Sequence, residues 1–150
     1  MRKPTLSLFY FGLWASSVLV LWQGVECKIY LRCELARKLR DQYSFDRSLL
    51  SNWICLLEHE SELDTTKETR EENGSINYGL FQINSAYCQE ARPGRFCNVA
   101  CEKLKGDNLA ESVECAKKIQ AERGFRNWKG WKRFCSNPQN LPDLKVACGI

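Results

Sequence analysis

The sequence predicts an α+β fold in which a helical lobe and a small β-hairpin lobe enclose a cleft. Apolar residues recur at helical spacing in three separate stretches, which indicates amphipathic helices. Between the second and third stretches, a turn signal at Asn73-Gly74 precedes an alternating run of residues that is typical of a hairpin. Cysteines are spread along the chain as far as Cys148, as in small secreted domains stabilised by disulfides.

The N-terminal segment has the pattern of a secretory signal peptide. Two basic residues precede an apolar run from Leu6 to Trp22, and a short polar segment follows. We predict a signal peptide over residues 1–27, cut after Cys27, with Val25 and Cys27 as the small residues at the recognition positions. A signal anchor is the alternative, because the apolar run of 17 residues is at the lower edge of membrane-spanning length. A bacterial lipid anchor is disfavoured, because Glu26 stands where a small residue is required.

Removal of that segment leaves residues 28–150, which is the length of one domain. The net charge falls from +4 to +3, because Arg2, Lys3 and Glu26 are lost. The number of cysteines falls from nine to eight, so that every thiol can pair. Zinc is the rival use of many cysteines, but the chain lacks Cys-x2-Cys units and its leader predicts secretion. We therefore expect an extracellular domain whose weakly basic surface is compatible with an anionic polymer.

Two helices are predicted in the first half of this domain, over about Leu31–Gln42 and Ser48–His59. Glu60 then falls at the C-terminal end of the second helix, where the helix dipole disfavours an ionised carboxylate. Apolar neighbours would raise its pKa further, which makes Glu60 a candidate general acid. The alternative is a solvated surface glutamate.

A hairpin is predicted after Glu60. Asn73-Gly74 is interpreted as a two-residue turn, and the returning strand alternates from Ile76 to Phe81, which brings Asn77 to face Glu60 across one space. The charged residues 67–72 are interpreted as a solvated loop, and the alternative is that Glu71 reaches the same pocket. Asn73-Gly74-Ser75 is also an acceptor sequence for N-glycosylation.

The second half of the domain is predicted to be irregular at first and then helical. Ser85–Cys101 carries no regular pattern. A third helix is predicted over about Asn108–Arg123, capped by Asp107 or Asn108 and ended by Gly124. A last helical piece is predicted over Asn127–Cys135.

Several of these motifs are similar to those of the C-type lysozyme and α-lactalbumin family. The most specific is the run Cys97-x3-Cys101-x2-Leu104-x3-Asn108-Leu109-x5-Cys115. Other matching segments are Lys28, Cys33-Glu34-Leu35-Ala36, Asn52-Trp53-Ile54-Cys55, Glu60-Ser61, Tyr78-Gly79-Leu80-Phe81-Gln82-Ile83-Asn84-Ser85 and Cys115-Ala116-Lys117-Lys118-Ile119. The resemblance covers essentially all of residues 28–150 and implies a lysozyme-like fold with a substrate cleft.

The resemblance also implies the disulfides and the site. The implied pairs are Cys33 with Cys148, Cys55 with Cys135, Cys88 with Cys101, and Cys97 with Cys115. Glu60 is implied as the proton donor, kept protonated by Trp128 against its carboxyl. Gln82, Asn84, Tyr87 and Trp128 are implied as sugar-contacting residues, and Ala86 stands where related enzymes have a second aromatic side chain. The implied activity is hydrolysis of the β-1,4 link between N-acetylmuramic acid and N-acetylglucosamine in peptidoglycan.

Asn77 departs from the family's pattern. In lysozymes of this type, the residue 17 positions after the catalytic glutamate is an aspartate, and here it is Asn77. An amide supplies neither the negative charge nor the nucleophile of a retaining glycosidase, so we expect weakened activity. Three functions remain open at this point: a glycosidase, a catalytically silent sugar-binding protein, and a secreted interaction protein that uses the fold as a scaffold.

The sequence further predicts that the domain needs no metal or cofactor. The positions that match the α-lactalbumin calcium loop are Gly106, Asn108, Glu111 and Ser112, which offer too few anionic ligands. His59 matches an apolar position and is interpreted as structural or exposed. The expected ligand is peptidoglycan or a chitooligosaccharide. We expect no nucleic-acid partner, no stable membrane span after removal of the signal, and a monomer.

Overall fold

Helices and strands follow one another in the order helix, helix, sheet, helix, helix. In the computed structural model, which describes residues 27–150, the α-helices are α1 (Arg32–Asp41), α2 (Arg47–Ser61), α3 (Ala110–Arg123) and α4 (Leu144–Cys148). The strands β1 (Glu68–Arg70), β2 (Ile76–Tyr78) and β3 (Ile83–Asn84) form one antiparallel sheet in that order. The predicted α+β class is confirmed. Apart from the exposed, unpaired Cys27, the predicted signal peptide lies outside the described residues.

Helix α2 crosses the hydrophobic core and fixes the position of Glu60. Its first turn is capped by Asp46, whose carboxylate accepts the backbone N–H of Ser48 at 2.8 Å. On its buried face, Trp53 packs against four aromatic rings with centroids between 4.8 and 5.8 Å away, those of Phe45, Phe81, Phe125 and Trp128. The helix extends one residue before and two residues beyond the predicted bounds, so Glu60 lies in its last turn.

The hairpin differs from the prediction in its turn and in its length. Arg70 pairs with Ile76, so five residues, 71–75, connect β1 and β2, and the predicted two-residue turn is wrong. Asn73-Gly74 still turns the chain, because Gly74 has a positive φ of 82° and Asn73 Oδ1 accepts the N–H of Ser75 at 3.0 Å.

The predicted returning strand ends at Tyr78 rather than at Phe81. Gly79 has a φ of +67°, and a Cβ there would lie 1.9 Å from the carbonyl oxygen of Leu104. The chain turns at this close approach, where only glycine fits. Gln82, at a φ of +46°, then leads it into β3. The third strand was not predicted, because two residues are too few to show a period.

The third predicted helix is confirmed as α3, with small corrections at its start. Its N-cap is Leu109 rather than Asp107 or Asn108, although Asn108 Oδ1 accepts the N–H of Ala110 at 3.2 Å. Gly124, with a φ of +69°, ends the helix as predicted.

The predicted helix over Asn127–Cys135 is confirmed for residues 129–135 but not for its first two residues. The chain forms a 3-10 turn at Phe125–Asn127 and a π-helical turn at Trp131–Cys135, and Trp128 between them is extended. The Trp128 indole N–H donates to the carbonyl of Phe81 at 2.8 Å, so a contact across the domain overrides the local helical pattern.

Four disulfides join the pairs that the resemblance implied: Cys33–Cys148, Cys55–Cys135, Cys88–Cys101 and Cys97–Cys115. The first ties α1 to α4, and the second ties α2 to the π-helical turn. Helix α4, which the sequence did not predict, begins at Asp143, whose carboxylate accepts the N–H of Val146 at 3.0 Å. Within residues 27–150, no helix has the length and apolar character needed to cross a bilayer.

Candidate active site

A cavity of about 300 Å³ lies between the end of α2, the sheet and the segment around Trp128. The six residues predicted for the site all line it: Glu60, Asn77, Gln82, Asn84, Tyr87 and Trp128. Ala86 also lines the cavity. Five further lining residues are polar or charged: Glu71, Asn73, Ser75, Asn127 and Lys129. The fold therefore brings together side chains separated by as much as 69 positions in the chain.

Glu60 enters the cavity from the last turn of α2 and is largely buried. Its Oε1 accepts the backbone N–H of Gly130 at 2.6 Å, a contact between residues 70 positions apart. Burial raises the pKa of Glu60, and the nearby Glu71 carboxylate raises it further, while the N–H of Gly130 and the ammonium groups of Lys67 and Lys129 oppose the shift. The net direction is upward, so Glu60 retains a proton to higher pH than an ordinary glutamate.

A side chain at Gly130 would displace the carboxyl group of Glu60. A Cβ at this position would lie 2.9 Å from Glu60 Oε1, closer than side-chain atoms normally approach. The backbone after Trp128 therefore covers the carboxyl directly. Trp128 is held in a fixed position in the cavity wall, since it is buried and its indole N–H donates to the carbonyl of Phe81.

Asn77 lies on β2 and is held by hydrogen bonds on both sides of its amide. Its Oδ1 accepts from Asn84 Nδ2 at 2.7 Å, across the pairing of β2 with β3. Its Nδ2 donates to Glu71 Oε1 at 2.7 Å. The same Asn84 nitrogen also donates to Ser75 Oγ at 2.8 Å. These bonds set the orientation of Asn77, because its NH2 must face the acceptor Glu71 and its oxygen must face the donor Asn84.

Glu71 does not behave as part of a solvated loop, so that interpretation is wrong for this residue. Its side chain is 23% exposed and lines the cavity between Asn77 and Lys129. Glu71 Oε2 is bonded to the ammonium of Lys129, and this contact, followed by the Asn77 bond, holds the pKa of Glu71 below its usual range. The cavity thus contains two carboxyl groups whose pKa values are shifted in opposite directions.

Gln82 and Tyr87 are both committed to contacts within the protein. The amide nitrogen of Gln82 donates to the carbonyls of Lys67 at 2.9 Å and Gly79 at 2.8 Å, so a ligand meets only its oxygen. The Tyr87 hydroxyl donates to Asn127 Oδ1 at 2.6 Å, which fixes the ring at the edge of the cavity. Both residues lie where the resemblance places sugar contacts, and their part in binding stays a prediction.

His59 lies outside the cavity, as expected for a residue without a catalytic part. It is exposed and stacks on Phe134 with ring centroids 4.3 Å apart. Among the described residues, His59, Cys55 and Cys135 form a group close enough to suggest a metal site. Both cysteines are consumed by a disulfide, so they offer no thiolate ligand.

Asn127 and Lys129 line the cavity but were not predicted from the sequence. Their only signal is that they flank Trp128 in the chain. Their positions depend on the break in helical backbone at Trp128, which the helical pattern of that stretch concealed.

Comparison with known proteins gives one consistent result. The sequence profile of the C-type lysozyme/alpha-lactalbumin family matches residues 28–148. A lysozyme of Bombyx mori is 45% identical over 130 residues, which cover 85% of this chain and 93% of the relative. Lysozyme-like protein 2 of Homo sapiens is 41% identical over 136 residues, which cover 85% of this chain and 89% of that protein.

Solved structures agree with the sequence relatives. The crystal structure of a lysozyme from Litopenaeus vannamei superposes with a TM-score of 0.71 at 29% identity, covering 81% of this chain and 97% of that one. Lysozyme from Equus asinus superposes with a TM-score of 0.68 at 33% identity, covering 82% and 100% of the two chains.

Proposed function

The chain belongs to the C-type lysozyme/alpha-lactalbumin family, and from this premise we propose that it is a secreted glycoside hydrolase acting on β-1,4 links of peptidoglycan. The observation that carries the proposal is the buried carboxyl of Glu60 in a polar cavity, with its pKa raised. A carboxyl group that keeps its proton to higher pH than an ordinary glutamate can give that proton to a leaving glycosidic oxygen. Chitooligosaccharides, which share the β-1,4-linked N-acetylglucosamine unit, are the matching soluble substrates.

In the proposed reaction, the bond between the sugar C1 and the bridging oxygen breaks as Glu60 protonates that oxygen. The sugar ring gains oxocarbenium-like positive charge, and a water molecule then adds its hydroxyl to C1 and returns a proton to Glu60. Between the two steps, the backbone N–H of Gly130 stabilises the ionised carboxylate of Glu60. Burial of Glu60 has the opposite effect and favours the return of the proton.

We propose that the activity is weaker than in relatives with an aspartate at the position of Asn77. An ionised carboxylate about 5 Å from the developing positive charge contributes roughly 3 kcal/mol at an effective dielectric constant near 20. If no other group supplies that charge, its loss corresponds to a rate lower by on the order of a hundred-fold.

The extracellular, monomeric state is part of the same proposal. Four disulfides and an N-terminal segment with a signal-peptide pattern support secretion, because such bonds persist in oxidising compartments. Cleavage after Cys27 would remove the unpaired thiol found in the described residues.

A catalytically silent sugar-binding protein is the second candidate, and the neutral Asn77 favours it. The two functions separate in one experiment that measures lysis of bacterial walls by turbidity and chitooligosaccharide binding by calorimetry. We expect slow lysis by the wild type and none by Glu60→Gln, with binding retained by both. Binding without any lysis would support the silent protein, and the absence of both would leave only a scaffold function.

A further inference from the structure

Glu71 is a second carboxylate that lines the cavity, as the alternative interpretation of residues 67–72 allowed. It belongs to the connection between β1 and β2, not to β2 itself. Its Oε1 accepts the NH2 of Asn77 at 2.7 Å, and its Oε2 is bonded to Lys129. It therefore stands directly behind the amide that replaces the family's aspartate.

The charged groups around Glu71 leave its negative charge only partly neutralised. Lys129 faces it from the segment after Trp128, but the Lys129 side chain is 76% exposed, so water screens much of that ammonium's charge. Glu60 faces it from α2, Lys67 lies before β1, and Glu72 follows it on the exposed side of the loop. Of the two glutamates in the cavity, Glu60 has its pKa raised, chiefly by burial, and Glu71 has its pKa lowered, chiefly by its bond to Lys129.

We propose that Glu71 is the second carboxylate of the cleft. From its place behind Asn77, it supplies the negative charge that Asn77 lacks. The inference rests on the proposed hydrolase function. Asn77 then acts as a positioning residue, since its amide is locked between Asn84 and Glu71. Glu71 stabilises the positive charge on the sugar electrostatically and forms no bond to C1, so the bonds broken and made are those of the hydrolysis described above.

The alternative is that Glu71 only ties the loop to Lys129 and Asn77. The two roles make different demands on the side chain. A structural tie to Asn77 needs one hydrogen-bond acceptor, which glutamine also provides, whereas a charge effect needs an ionised carboxylate. Glutamine gives up the contact with Lys129, and the Lys129→Gln variant measures the loss of that contact by itself. Glu72 offers a matched control, because it is the adjacent glutamate and points to solvent outside the cavity.

The experiment compares kcat and KM for chitooligosaccharide hydrolysis among the wild type, Glu71→Gln, Glu71→Asp and Glu72→Gln. Glu71→Gln should lower kcat by about ten-fold or more with little change in KM, because charge at the transition state is lost while binding contacts remain. Glu71→Asp should retain more activity than Glu71→Gln, and Glu72→Gln should match the wild type.

A second variant, Lys129→Gln, tests the charge without touching a cavity carboxylate. Removing the ammonium should raise the pKa of Glu71 and move the acid limb of the pH–activity profile to higher pH. A structural tie predicts no such movement. Because Lys129 is exposed, this variant should fold normally even if Glu71→Gln does not.

The outcomes separate the two proposals. Hydrolysis that requires Glu60 but is equal in Glu71→Gln and Glu72→Gln would overturn the part assigned to Glu71 and leave the hydrolase standing. Equal rates for Glu71→Asp and Glu71→Gln, or an unmoved acid limb in Lys129→Gln, would also overturn it. Absence of any Glu60-dependent hydrolysis in the wild type would refute the hydrolase and this inference with it.

Discussion

Replacing Asn77 by aspartate should restore far less activity in the wild-type background than when Glu71 is neutralised at the same time. The reason is the hydrogen bond between Asn77 Nδ2 and Glu71 Oε1, which is 2.7 Å long. An aspartate would direct a second carboxylate oxygen at Glu71, with charge centres about 4 Å apart. At an effective dielectric constant near 20, two like charges at that distance repel by about 4 kcal/mol.

That repulsion corresponds to roughly three pKa units, so the pair would share one proton at neutral pH. The cavity would then carry one negative charge, as in the wild type, and we expect Asn77→Asp alone to change kcat by only several-fold. In the Glu71→Gln background, the glutamine amide can donate to the new carboxylate, which stays ionised. There Asn77→Asp should raise kcat by on the order of a hundred-fold.

The assay is a double-mutant cycle on Asn77→Asp and Glu71→Gln, with initial rates of chitooligosaccharide hydrolysis at one neutral pH. Strong non-additivity is the expected result, because the two side chains are in direct contact. A hundred-fold gain in the single Asn77→Asp variant, or effects that simply multiply in the double variant, would refute the proposed coupling between the two positions.

Three further predictions follow from the same structure. The raised pKa of Glu60 means that the folded state binds its proton more tightly than the unfolded state, so stability should fall as pH rises from the ordinary glutamate range through the raised pKa; this fall should be absent from denaturation curves of Glu60→Gln, and identical pH profiles would contradict it. Asn73 is exposed at the rim of the cavity, so secretion from a eukaryotic host should attach a glycan there that slows wall lysis; mass spectrometry should show the modification lost in Asn73→Gln, and an unmodified Asn73 would count against it. Alkylation without reduction should label no cysteine in residues 28–150, because all eight are paired; several labelled cysteines would overturn the disulfide assignment.

Sequence reasoning succeeded where one local signal was repeated over many residues. Helices α2 and α3 each show several turns of apolar spacing, so both were predicted, and their predicted ends lie within two residues of the observed ends. It failed where the signal was short or was outweighed by distant contacts. Strand β3 has two residues, and the backbone at Trp128 is set by its bond to Phe81, 47 positions away.

The sequence by itself determined the α+β class, the helix that carries Glu60 near its C-terminal end, and the absence of a carboxylate at Asn77. These features depend on residue type and on spacing within one element, and both can be seen directly in the sequence. Only the tertiary structure decided which contacts shift the pKa of Glu60 and where Glu71 lies. The bond from Gly130 to Glu60 spans 70 positions and that from Lys129 to Glu71 spans 58, so neither can be seen in a local pattern. Burial and charge act through space, and the folded chain alone fixes which groups share that space.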